Sequence, residues 1–105
     1  MKLELISNVE LTADGTLRLR LMSVGSSSYQ YIYRAAAGVY WNPAVNAFEF
    51  ATRNEGQIDQ WFWHVSHAVL EELGVRLQLD IGVTWTNIPV EVRSSLMAKS
   101  PGTVP

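Results

Sequence analysis

Gln60, His64, His67 and Glu71 are the side chains best spaced for chemistry, because one helical stretch carries all four. At about 100° per residue they fall within roughly 60° of one another on a helical wheel. Two imidazoles at i and i+3, with a carboxylate four residues further on, could ligate zinc or nickel, which makes His64, His67 and Glu71 weak metal candidates. The same trio could do acid–base work with Glu71 orienting His67. Tight metal sites, however, recruit ligands from more than one element, and no nucleophile or oxyanion donor pairs with these groups along the chain. The expectation is a solvated polar face, with no metal, no cofactor and no catalytic residue assigned; a non-enzymatic protein is favoured, and a small enzyme using His64, His67 and Glu71 stays the lesser alternative. Glu71 and Glu72 oppose the helix dipole, each at a cost of about 0.3–1 kcal/mol, unless solvent or Arg76 accommodates them.

Aromatic residues offer a second kind of chemistry. Tyr29, Tyr31 and Tyr33 alternate with Gln30, Ile32 and Arg34 and read as one face of a strand. With Arg18, Arg20 and Arg34 nearby, that stripe could stack bases or sugars. A net charge of −2 argues against nucleic acid, whose binding comes mainly from neutralising phosphates. Core packing or a contact between subunits, where tyrosine is enriched, is the expectation instead.

The helix that would carry the histidines has more apolar surface than one core needs. Ile58, Trp61, Phe62, Val65, Ala68, Val69 and Leu73 share a broad face, while Trp63 and Leu70 lie outside it, beside His67. Something must cover that flank: the C-terminal helix, a ligand, or another subunit. Tryptophan is a frequent anchor in interfaces. Trp63, His67 and Leu70, with Tyr29, Tyr31 and Tyr33, are therefore the expected interface residues. In the alternative, Tyr31, Trp41, Phe62 and Trp85 line an apolar ligand pocket between helix and sheet, near Ala35 to Gly38.

The surrounding elements follow from periodicity. Leu3, Leu5, Val9 and Leu11 mark a first strand with a break in parity around Ile6-Ser7-Asn8, as a bulge gives. Asp14-Gly15 is a hairpin turn, and Leu17, Leu19 and Leu21 alternate with Arg18, Arg20 and Met22 in the second strand. Gly25-Ser26-Ser27-Ser28 reads as a flexible connection. The third strand begins at Tyr29, is interrupted by Ala35-Ala36-Ala37-Gly38 and resumes at Val39-Tyr40-Trp41. The small residues would complement the bulk of Trp61 and Phe62. After the turn Asn42–Asn46 comes a fourth strand with Phe48 and Phe50. Asn54 and Gln57 have the spacing of a capping box, and Gly74 suits a helix end, which places the long helix from about Glu55 to Leu73. Val75, Leu77, Leu79, Ile81 and Val83 form one apolar strand face. Asn87-Ile88-Pro89 opens a short helix with Ile88, Val92 and Leu96 four apart.

The order β-β-β-β-α-β-α predicts an α+β fold. About five antiparallel strands would carry one long helix and a short C-terminal helix on one face. At 105 residues, 48% hydrophobic and 17% charged, the chain suits one domain over residues 1–100 with a flexible tail at 101–105. The low charge content favours self-association. There is no cysteine, which excludes disulfides and thiol chemistry. No signal-peptide pattern opens the chain and no apolar run approaches the roughly 20 residues of a membrane span, so a cytoplasmic protein without membrane contact is expected. In general style it resembles the small cysteine-free orphan proteins of bacterial mobile gene cassettes and phages, a likeness that implies no function. The expected function is a non-enzymatic interaction module that forms a homodimer. A small apolar ligand or another protein is the alternative partner, and nucleic acid is not one.

Overall fold

The computed structural model describes residues 2–51 and 58–99. The expected capping box at Asn54 and Gln57, and the tail 101–105, lie outside the described residues. Five strands form one sheet: β1 (Lys2–Leu11), β2 (Thr16–Leu21), β3 (Val39–Asn42), β4 (Ala47–Ala51) and β5 (Val75–Thr86). Two helices, α1 (Ile58–Leu73) and α2 (Val90–Lys99), and a 3₁₀ helix at Ser27–Arg34 complete the described elements. The fold is α+β, as the element order predicts.

The sheet order is β3-β4-β2-β1-β5. Three pairings are antiparallel, but β1 and β5 run parallel, so the sheet is mixed rather than purely antiparallel. The cause is α1. A parallel return needs a long crossover, and only the 16-residue α1 is long enough to carry the chain from β4 across to β5.

The turn Thr12–Thr16 closes the first hairpin, with Gly15 at φ +88° where a side chain would be strained. Asn46 adopts φ +55° in the β3–β4 turn. Its side-chain amide donates to the carbonyls of Leu21 and Ser23 and its oxygen accepts from Gly25 N–H at 2.8 Å, so one residue clamps the exit of β2. Gly74 takes φ +65° and donates to Leu70 O, which ends α1 as its position suggests.

The bulge in β1 falls between Ile6 and Asn8. It reverses the sides of the strand: Ile6 and Val9 both enter the core, Glu4 goes inside with Ile6, and Leu3 is left half exposed on the other face. β5 departs from its expected regular alternation at the same level. While β1 advances from Ile6 to Asn8, β5 advances from Leu79 to Thr84, three residues more. Ile81 lies in this bulge and is 98% exposed, so it does not join Val75 and Leu79 in the core.

Leu17, Leu19, Leu21, Val39 and Phe48 from the sheet meet Ile58, Phe62, Val65 and Val69 from α1, with Ile88 and Leu96 closing the core beside α2. The opposite sheet face carries ion pairs. Arg18 bonds Glu49 at 2.7 Å and Glu10 at 3.2 Å, and Arg20 lies 3.8 Å from Glu10.

Candidate interaction surfaces

The segment Tyr29–Tyr33 is not a strand. Ser26 caps the 3₁₀ helix by accepting from Ser28 N–H at 3.3 Å, and Ala35 N–H closes it on Ile32 O at 3.0 Å. Three residues per turn put Tyr29 and Ile32 on one side, and both are buried. Tyr31 and Tyr33 turn outward at 40% and 52% exposure, so the three tyrosines do not share a face. The Arg34 guanidinium lies over the Tyr31 ring at 4.5 Å, a cation–π contact at the i, i+3 spacing of this helix. The triple serine before Tyr29 was the available signal: a hydroxyl cap favours a helical start over a strand.

Tyr29 belongs to the core. Its ring stands edge-on to Trp41 at 5.3 Å and against Phe48 at 5.4 Å. Its hydroxyl donates to Glu4 Oε2 at 2.6 Å, and Lys2 Nζ lies 3.6 Å from the same oxygen. Burial, then the Glu4 carboxylate, pushes the Tyr29 phenol above its usual range. Nothing local to Glu4 signals this pair, because an acid two residues before Ile6 has the pattern of a strand's solvent side until the bulge is placed.

The stacking platform is not assembled. Arg18 and Arg20 point away from the helical layer into the Glu10–Glu49 network, while Tyr31, Tyr33 and Arg34 ride on the 3₁₀ helix. The expected pocket residues are also dispersed. Trp41 pairs with Phe48, Phe48 with Leu19, Leu19 with Val9, and Val9 with Trp85. The two tryptophans thus stand at opposite ends of one cross-strand row, four strand spacings or roughly 19 Å apart. Phe62 is buried between sheet and helix, and Tyr31 faces out.

The small-against-large packing is placed differently from expectation. A Cβ on Gly38 would meet the Phe50 ring at 3.3 Å, and Phe50 in turn packs on Trp61 at 6.2 Å. The tightest approach is at Gly25, where a Cβ would lie 2.5 Å from the Trp41 ring. Gly25 is therefore a packing residue, not a flexible link.

Along α1, Gln60, His64, His67 and Glu71 are exposed, and His64 leans on Phe50 at 5.4 Å between ring centres. Among the described residues no three His, Asp or Glu side chains are grouped as a metal site would need, so His64, His67 and Glu71 do not form one. Nor do Glu71 and Glu72 pair with Arg76 among the described ion pairs. Trp63 and Leu70 are half-buried, and the Trp63 ring is edge-on to Phe62 at 5.1 Å. Since Trp61 and His64 face Phe50 on β4, the Trp63–Leu70 flank is the one turned towards β5 and α2, both of which pack on α1. Between them the Ser66 hydroxyl is buried and has no hydrogen-bond partner among the described residues.

No described helix is long and apolar enough to cross a membrane. No protein-family model matches the chain, and no curated protein matches it by sequence. Among solved structures it is similar to the integron cassette protein Hfx_Cass5, from the mobile metagenome of the North West Arm Sewage Outfall. The identity is 31%, over 91% of this chain and 93% of that one, with a TM-score of 0.41.

Proposed function

We propose that this protein is a non-enzymatic interaction module that works as a homodimer and displays the outer side of its 3₁₀ helix to a protein partner. The observation that carries this reading is the division of labour within that helix. Tyr29 and Ile32 are fixed in the core, while Tyr31, Tyr33 and Arg34 are held outward on a capped, rigid element. Tyrosine and arginine supply much of the energy of protein contacts, and a ring held by short side-chain torsions loses little entropy on binding. The low charge content supports self-association, as do the apolar side chains left outside, Ile81, Val24 and Met22 among them. Trp63 and Leu70 contribute less than expected from sequence, because their flank is half-buried within the fold.

The test is sedimentation velocity between about 5 and 500 μM, a span that captures dimers of ordinary micromolar affinity. A concentration-dependent shift to twice the monomer mass supports the reading. A monomer throughout would sink it. Trp63→Ala should leave the mass distribution unchanged.

A further inference from the structure

β5 is an edge strand: β1 pairs with one of its sides, and no described strand pairs with the other. At 12 residues it is also the longest of the described strands. Such an edge presents alternating N–H and C=O groups that another strand can complete. The bulge beyond Leu79 bends β5, so the usable stretch is Val75 to Asp80, which directly follows the last regularly paired residue, Leu79.

We infer that a second copy of this chain pairs antiparallel with that stretch, about a two-fold axis at Gln78. The inference rests on the reading that the protein self-associates, and it gives the two-fold contact to β5. In an isologous contact, residue i meets j and j meets i. With the axis at Gln78, Arg76 stands across from Asp80 of the second copy, and Asp80 from Arg76 of the second copy. Alternation puts Arg76 and Asp80 on the same side of the strand, the side of Leu3, with which Arg76 is paired. Arg76 is exposed and has no acidic partner among the described residues. Asp80 Oδ2 accepts from Gly82 N–H at 2.9 Å, which leaves the other carboxylate oxygen for a cation.

Moving the axis by one residue, to Leu77, puts Arg76 opposite Gln78 and loses both ion pairs. Charge therefore selects this register, and a strand charged +, neutral, − about its centre is complementary to itself. The tyrosine helix lies near β3, at the far end of the sheet, so both copies keep it free for other partners.

Charge exchange tests the pairing. Arg76→Asp alone, or Asp80→Arg alone, puts like charges across the axis twice and should weaken dimerisation about tenfold. The double exchange R76D/D80R restores opposite charges and should return the dissociation constant to within about threefold of the original. Within one strand the two residues are four apart, or roughly 13 Å, so repair inside a single copy would not mimic this result. Thermal melts of each variant at low concentration confirm that the fold is kept. A dimer indifferent to all three variants overturns the β5 pairing while leaving self-association standing. A chain that is monomeric throughout overturns both.

Discussion

At the scale of single residues, polar groups placed inside decide most of what can be measured. Tyr29 holds the buried Glu4 carboxylate through a 2.6 Å bond, so Tyr29→Phe keeps the ring packing and leaves that carboxylate short of a donor. Urea unfolding at pH 7 should show a loss of about 1–3 kcal/mol. The effect has a pH signature. Burial and Glu4 raise the folded-state pKa of the phenol above its ordinary 10.0, so its contribution is complete below about pH 10. As pH rises towards the folded-state value that contribution is lost, and the gap between wild type and Tyr29→Phe should narrow above pH 10. A constant gap would mean that the phenol ionises alike in both states. Ser66 is the opposite case. Its hydroxyl is buried without a partner among the described residues, so Ser66→Ala removes an uncompensated desolvation and places a better helix former in α1. Chemical denaturation should register a gain of about 1 kcal/mol.

At the scale of elements, the 3₁₀ helix and the approach of Gly25 to Trp41 set the end of the molecule nearest β3. Gly25→Ala forces a Cβ to within 2.5 Å of the Trp41 ring, itself packed on Tyr29 and Phe48. Overpacking of this kind typically costs about 1–3 kcal/mol, and near-ultraviolet circular dichroism should report the displaced tryptophan. The 3₁₀ helix separates stability from recognition. Ile32→Ala should lower stability by about 2–5 kcal/mol, because Ile32 is fully buried. The double variant Tyr31→Ala/Tyr33→Ala should stay within about 0.5 kcal/mol of wild type, as exposed positions do, and lose affinity for a protein partner. Proteins co-purified with the wild type and absent from a parallel Ile81→Ser preparation would point to β5 instead.

At the scale of the whole molecule, a two-layer plate 34 × 33 × 22 Å leaves one broad sheet face and the β5 edge outside the core. The face is largely self-satisfied by the Glu10–Arg18–Glu49 network and the amide of Asn8 on Thr84 and Thr86. No described strand pairs with the outer side of that edge. If β5 joins two copies, folding is linked to association, and the melting temperature should climb as protein concentration is raised about a hundredfold. Differential scanning calorimetry reads this directly. A melting temperature independent of concentration speaks for a monomer.

Wherever a structural preference is local, the amino-acid sequence was enough. Asp14-Gly15 made the turn, alternating leucines made β2, the parity break at Ile6-Ser7-Asn8 made the bulge, and the 3.6-residue period told the buried face of α1 from the His64–His67–Glu71 face. Neighbouring residues alone settle these features, through backbone sterics and the repeat of side-chain direction. Tertiary structure decided the rest. Tyr29, Tyr31 and Tyr33 carry a strand's alternation, yet a 3₁₀ helix forms because burying both Tyr29, which packs on Trp41 and Phe48, and Ile32 requires a three-residue period. The parallel pairing of β1 with β5, the interior place of Glu4 and the partial cover of Trp63 each depend on an element far along the chain. Period and spacing state which side of an element is apolar. Only the closed fold states what lies against it.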